Sequence, residues 1–202
     1  DPEGNSKLKD VIAKAKSANM PNDSITRSIK KASGDVDAQN YEEIAYEGYG
    51  PGGVAVIVET MTDNRNRTAG DLRHFFDKYG GNLGQTGCVS FMFDKKGIII
   101  IERTGDISED DLMMEALEAG AEDIDSQEEY FEIVTGPGDF SAVREALEEA
   151  GYKFSSADVE MVPQTTVKLA GDEQVQQMEK LVDAVEDLDD VQDIFHNWEQ
   201  EE

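Results

Sequence analysis

The sequence contains few of the residues from which most enzyme sites are built. Its 202 residues include one cysteine, one tryptophan and two histidines. The single thiol, Cys88, has no partner for an internal disulfide, which fits a reducing compartment. The histidines, His74 and His196, lie far apart in the sequence and lack metal-ligand spacing. No run of eighteen apolar residues predicts a transmembrane helix. We therefore expect a cytoplasmic protein without a metal site.

Recognisable catalytic motifs are missing as well. The glycine-rich segments 50–53 and 80–87 lack the Gly-Lys-Ser/Thr of a phosphate-binding loop, and turn formation explains both. The sequence has no Gly-x-Ser-x-Gly nucleophile elbow and no pairing signal between cysteine and histidine. Its many carboxylates fall on predicted helix surfaces and do not have the spacing of a calcium-binding loop. The sequence thus predicts a protein that is not an enzyme and needs no cofactor.

Charge is abundant, but the two signs are unevenly distributed. The formal net charge is −27. Residues 1–34 hold seven basic and four acidic side chains, whereas residues 104–202 hold four basic and thirty acidic ones. Because an acidic surface repels phosphate, only the N-terminal part, together with a small arginine cluster after it, is suited to a polyanion.

Two short amphipathic helices are predicted at the N-terminus. Asn5 or Ser6 caps the first helix. The segment Asn19-Met20-Pro21-Asn22 breaks that helix, because Pro21 lacks an amide donor, and Asn22 caps the second helix. In the second helix the apolar stripe lies opposite three basic side chains, which we call the α2 basic face: Arg27, Lys30 and Lys31. Two interpretations of this face are open. It either binds phosphate groups or is an ordinary solvated surface.

A second basic feature, Arg65 and Arg67, lies where a predicted buried strand ends and a helix begins. Arginine at a helix N-terminus opposes the helix dipole, at a cost of about 0.3–1 kcal/mol each. This placement favours a role with an external partner, since arginine makes bidentate contacts to phosphate and carboxylate. The alternative is that Asp63, Asp71 or the acidic part of the chain pairs with both arginines.

The remainder of the chain predicts a mixture of helices and strands. Apolar runs and turn residues indicate strands at 41–49, 54–58, 89–93, 98–101, 122–125, 130–135, 153–162, 165–169 and 191–198, with a turn at 95–97. Helices are predicted at about 66–79, 108–119, 139–150 and 172–187. A helix-glycine-strand pattern occurs twice, at 116–121 and 146–152. Either each copy is half of a split βαβ unit, which indicates a ferredoxin-like domain, or the two copies are ordinary helix ends.

Several motifs together resemble the YebC/PmpR family. They are Asn19-Met20-Pro21, Ile29-Lys30-Lys31, Tyr41-Glu42-Glu43-Ile44-x-Tyr46-Glu47-Gly48-Tyr49-Gly50-Pro51-Gly52-Gly53-Val54-Ala55, Thr62-Asp63-Asn64-Arg65-Asn66-Arg67-Thr68 and Gly80-Gly81-Asn82-Leu83-Gly84. The resemblance implies an α+β multidomain fold in three parts. These are an N-terminal helical bundle at 1–38, a discontinuous α/β domain at 39–103 plus 164–202, and a ferredoxin-like domain at 104–163 inserted into the second. It also implies a basic leading segment that supplies a third bundle element.

The resemblance further implies a nucleic-acid-binding regulator, by convention a transcriptional regulator that binds DNA. Related mitochondrial proteins activate translation and bacterial members have been linked to the ribosome, so a translation factor on ribosomal RNA is the alternative, with the acidic domains contacting basic proteins. A protein-interaction scaffold is a third class. The candidate nucleic-acid-binding residues are Lys7, Lys9, Lys14, Lys16, Arg27, Lys30, Lys31, Arg65, Arg67 and Arg73. No membrane partner is expected.

Overall fold

The computed structural model describes residues 4–34 and 41–200, which form a mixed α+β structure. The helices are α1 (Ser6–Ser17), α2 (Asn22–Gly34), α3 (Arg65–Lys78), α4 (Glu109–Ala119), α5 (Phe140–Glu149) and α6 (Asp172–Glu186). The strands are β1 (Glu42–Tyr49), β2 (Ala55–Thr62), β3 (Asn82–Leu83), β4 (Phe93–Glu102), β5 (Asp123–Ser126), β6 (Tyr130–Thr135), β7 (Ser156–Pro163) and β8 (Val191–His196). The chain divides into two compact units, and each is built from two separate stretches of sequence.

The first unit combines residues 1–38 with residues 95–160. Its sheet has the strand order β5-β6-β4-β7, and its elements follow one another as β-α-β-β-α-β. Alternate residues of β4 and β6 point into a core that α4 and α5 cover, as the two-residue period of strands requires. This core consists of Ile99, Ile101, Leu112, Ala116, Phe131, Ile133, Phe140, Val143 and Leu147.

The N-terminal helices of the first unit begin where the sequence predicts. The Asn5 side chain caps α1 by accepting a hydrogen bond from the Leu8 amide at 3.0 Å. Helix α1 contacts both α2 and α5, so the N-terminal helices are part of this unit. The polar linker predicted at 35–40 lies outside the described residues.

The second unit combines residues 39–94 with residues 161–202. Its sheet has the order β3-β1-β2-β8, and β2 pairs antiparallel with both β1 and β8. Val56 and Val58 of β2 belong to a core that includes side chains of α3 and α6, while Ala55 and Ile57 pack into a second cluster with Val89. Because both faces of β2 are covered, its continuous apolar run is explained.

Three predicted features of the fold are wrong. There is no turn at 95–97, because β4 is one strand in which Gly97 pairs with Thr135. A side chain at position 97 would collide with Thr135 and Phe140, so close packing rather than a turn requires this glycine. Residues 90–92 form a short 3-10 turn instead of a strand. The predicted strand at 165–169 is reduced to a single bridge between Val167 and Trp198.

Candidate nucleic-acid interface

The α2 basic face is exposed along its whole length. Arg27, Lys30 and Lys31 are exposed, and Ile25 on the opposite side of the helix is buried. Within residues 4–34 and 41–200, none of these three cations forms an ion pair with a carboxylate. Their charge is therefore not offset by direct contact with the described acidic side chains.

Helix α1 differs from α2, because acidic side chains of the same unit lie against its lysines. Lys9 Nζ lies 3.7 Å from Glu145 Oε1, and Lys14 Nζ lies 2.9 Å from Asp158 Oδ1. Lys7 and Lys16 are exposed, and Lys16 forms no ion pair with any described residue. Part of the positive charge predicted for α1 is thus offset within the protein.

A buried arginine joins α1 to α5. Only 5% of Arg144 is exposed; its Nε donates to Asp10 Oδ1 at 3.0 Å and its Nη1 to Glu148 Oε2 at 2.9 Å. The Ser141 hydroxyl also donates to Asp10, at 2.7 Å. This contact is not among those predicted from the sequence. The available signal was the position of Arg144 on the apolar side of α5, beside Val143 and Leu147.

In the arginine cluster at the start of α3, one arginine, Arg67, is paired with carboxylates of the protein itself. Arg67 Nη2 donates to Asp63 Oδ1 and to Asp190, each at 2.9 Å. Arg67, with Thr68, lowers the pKa of Asp190 through hydrogen bonds, and the two carboxylates raise the pKa of Arg67. Pairing within the protein, which the sequence left open, is therefore what the structure shows for Arg67.

The other two arginines of α3 are not paired in this way. Arg65 and Arg73 are exposed, and neither forms an ion pair in the described part of the chain. Asn64 caps the helix by accepting a hydrogen bond from the Arg67 amide at 3.1 Å. The hydroxyl of Tyr46 donates to the Arg65 carbonyl at 3.1 Å, which fixes the backbone and leaves the Arg65 guanidinium exposed.

A pocket of about 390 Å³ lies beside this cluster. It is lined by Tyr41, Asp63, Arg67, Thr68, Asp71, Leu188, Asp189 and Asp190. Four carboxylates and one guanidinium make it unsuited to an anion. No group of three or more histidine, cysteine or acidic side chains arranged to hold a metal ion occurs among residues 4–34 and 41–200.

The second glycine-rich segment encloses one of the protein's own carboxylates. Glu47, 4% exposed, accepts hydrogen bonds from the backbone amides of Gly87, Val89 and Ser90 at 2.8–2.9 Å. Burial raises the pKa of Glu47, but these hydrogen bonds outweigh it and the pKa is lowered. These three amides, at the end of the segment and just after it, are therefore bound to a carboxylate of the protein itself and are not available to an external phosphate.

The thiol and the histidines do not form a catalytic arrangement with one another. Burial and the nearby Glu47 carboxylate raise the pKa of Cys88, which disfavours a reactive thiolate. Burial lowers the pKa of His196, and its Nδ1 has no hydrogen-bond partner among the described residues. His74 is exposed on α3.

Comparisons with known proteins match both the N-terminal helices and the remainder of the chain. A model described as the TACO1/YebC protein N-terminal domain matches residues 1–35, and one described as the TACO1/YebC second and third domain matches residues 41–198. This chain belongs to the TACO1/YebC family. The second model alone covers well over half of the sequence, and the resemblance read from the motifs is confirmed.

Similar proteins in this family carry names that describe them as transcriptional regulatory proteins. A "Probable transcriptional regulatory protein" of Acetivibrio thermocellus is 69% identical over 198 residues, which cover 98% of this chain and 82% of that protein. A protein of the same description from Clostridioides difficile is 60% identical over 100% of this chain and 84% of its own length. The crystal structure of a conserved hypothetical protein from Aquifex aeolicus has a TM-score of 0.85 at 45% identity, covering 100% of this chain and 83% of that one. Among the described residues, no helix is long and apolar enough to cross a bilayer.

Proposed function

We propose that this TACO1/YebC-family protein is a transcriptional regulator that binds DNA through its N-terminal helices. The observation that carries the proposal is the α2 basic face, three exposed cations without an ion-pair partner in the described chain, on a protein with a net charge of −27. Segregated positive charge on an otherwise acidic protein directs a phosphate backbone to one location. The printed names of similar proteins support regulation of transcription.

The candidate residues are not expected to contribute equally. Phosphate reaches Lys16, Arg27, Lys30, Lys31, Arg65 and Arg73 without breaking an ion pair described in the structure. Lys9, Lys14 and Arg67 contribute less, because phosphate must displace a carboxylate from each. Lys7, which is exposed in the first turn of α1, completes the proposed set.

We further propose that the fold comprises three domains, the third a ferredoxin-like domain inserted into the second. Because the ferredoxin-like pattern needs β4, we take the inserted domain to begin with that strand rather than at residue 104. The β-α-β-β-α-β sequence of elements and the strand order β5-β6-β4-β7 support this interpretation. The acidic inserted domain is then suited to contact with basic proteins rather than with phosphate. We also propose a cytoplasmic location, which fits the single cysteine, Cys88.

A pair of charge-reversed variants tests the proposed surface. Lys30→Glu with Lys31→Glu is compared with Lys153→Glu and Lys180→Glu, which change the net charge equally but lie outside the candidate set. Affinity for a labelled DNA duplex is measured by fluorescence anisotropy across a salt series. The slope of log K against log salt is negative, and each lost phosphate contact reduces its magnitude by about 0.9. The first variant is expected to bind more weakly with a shallower slope than the control, and equal losses in both would refute the assignment.

A translation factor that binds ribosomal RNA is the second candidate, and the thirty acidic side chains of residues 104–202 favour it. Such a body is repelled by naked DNA but is compatible with a particle rich in basic proteins. Cross-linking in cells followed by sequencing of the recovered nucleic acid separates the two candidates. Promoter DNA supports the transcriptional regulator, ribosomal RNA supports the translation factor, and no enrichment over an untagged control contradicts both.

A further inference from the structure

Helix α4 carries an apolar patch that does not pack into the core of its own unit. Its buried side, Leu112 and Ala116, contacts the core of the first unit. On another side of the same helix Met113, Met114 and Leu117 are 37%, 55% and 50% exposed. We call these three residues the α4 patch. At 100° per residue they span one continuous sector of the helix surface, since they are related by steps of three and four residues.

The side chains of the α4 patch are suited to contact with another protein. Exposed apolar side chains scattered singly are ordinary, but a cluster bordered by polar residues marks an interaction surface. Two of the three are methionines, whose flexible thioether side chains adapt to partners of different shape. Leucine beside them supplies a branched side chain that a partner is able to bury.

Unpaired acidic side chains border the patch. Asp110, Asp111 and Glu118 lie next to it along the helix, and none forms an ion pair in the described part of the chain. Glu109 is different, because Arg103 donates to it at 3.2 Å. Helix α4 contains no basic residue. At 100° per residue Asp111 and Glu118 lie along one side of the patch and Asp110 lies at its N-terminal end. Charge complementarity therefore selects an occupant that carries cations beside an apolar stripe.

We propose that the α4 patch is a docking surface for a basic amphipathic helix of a partner protein. Such a helix places apolar residues at i, i+3, i+4 and i+7 against Met113, Met114 and Leu117. Its flanking lysines or arginines then pair with Asp110, Asp111 and Glu118. Three exposed side chains on a helix of eleven residues form a small surface, so the complex is transient rather than permanent. The proposal does not depend on nucleic-acid binding.

Synthetic peptides test the proposal on the whole chain. The first is a labelled peptide of about eighteen residues, with leucine at i, i+3, i+4 and i+7, lysine at the positions that flank this stripe and alanine elsewhere; its length and alanine content favour an isolated helix. The second has alanine in place of every leucine and the same charge. Comparing them separates recognition of the apolar stripe from the general attraction of lysine to an acidic protein. Anisotropy at near-physiological salt gives both affinities.

Matched variants locate the site on the protein. Met114→Ala with Leu117→Ala removes most of the apolar contact and retains good helix-forming residues. Phe91→Ala is the control, because Phe91 is 68% exposed but lies in the second unit. Circular dichroism confirms that each variant is folded. We expect the double variant to bind the leucine peptide about tenfold more weakly than the parent protein, with no change in its affinity for the alanine peptide.

Three results would overturn the docking surface. They are equal affinity of the parent protein for the leucine and alanine peptides, unchanged leucine-peptide affinity in the double variant, and an equal loss in Phe91→Ala. Asp110→Asn with Glu118→Gln tests the acidic border separately. That variant is expected to bind the leucine peptide severalfold more weakly than the parent protein, with a smaller dependence of the affinity on salt.

Discussion

Replacing Glu47 with glutamine tests how the second glycine-rich loop is held. Glu47 Oε1 accepts from the Gly87 amide, and Oε2 accepts from the amides of Val89 and Ser90. Glutamine retains one acceptor oxygen at nearly the same volume, but its NH2 group then faces an amide donor. Hydrogen bonds to charged groups contribute about 1.5–3 kcal/mol, and a buried unsatisfied donor costs about 1–3 kcal/mol. We therefore expect the free energy of unfolding to fall by about 2–4 kcal/mol.

The same variant is expected to change the response of stability to acid. The folded-state pKa of Glu47 is lowered, so its contribution is fully present above the unfolded-state pKa, near 4.5, and is lost as the pH falls through the lower folded-state value. Glutamine does not titrate, and Glu47→Gln should therefore lose less stability than the parent over that interval. The difference is read from urea unfolding at neutral pH and at several acidic values.

An exposed glutamate in the same unit provides the control. Glu179 lies on the surface of α6, and Glu179→Gln is expected to leave stability within about 0.5 kcal/mol. Unfolding of Glu47→Gln at the same urea concentration as the parent protein would refute the account of the loop. Retention of the full acid-dependent loss in the variant would show that another group causes it.

Three further predictions concern single substitutions in the strands and helices. Gly97→Ala should destabilise the protein by about 2 kcal/mol or more, because the added methyl group collides with Thr135 and Phe140. Gly70→Ala, at an exposed helical position where the methyl group meets no atom within 4 Å, should stabilise the protein by about 0.5–1 kcal/mol. Thermal unfolding measures the change in stability of both variants, and changes of the same sign would contradict the predictions. Asp10→Asn should weaken the contact with Arg144 and lower hydrogen-exchange protection across α1, whereas the exposed Asp23→Asn should leave α1 protection unchanged.

Local signals in the sequence predict most elements of the fold. The side chains of Asn5, Asn64 and Ser108 cap α1, α3 and α4, where polar residues precede an apolar periodic run. The turn wrongly predicted at 95–97 is decided by distant contacts. Gly97 resembles a turn residue until Thr135 and Phe140 are placed against it, and that information lies about forty residues further along the chain.

The candidate site is predicted less completely than the fold, for the same reason. The exposure of Arg27, Lys30 and Lys31 follows from the helical period alone. The pairing of Arg67 with Asp190 depends on a residue 123 positions away, and that of Lys14 with Asp158 on another distant carboxylate. An excess of acidic residues makes such pairing common, yet periodicity does not identify which cations are paired.

The most direct test of the central claim is to locate where nucleic acid touches the protein in cells. Photo-cross-linking followed by mass spectrometry of the attached peptides identifies the contact residues. Binding through the N-terminal helices predicts cross-links within α1 and α2, with additional ones near Arg65 and Arg73. Cross-links concentrated on the acidic helices α4 and α5, with none on α2, would contradict it.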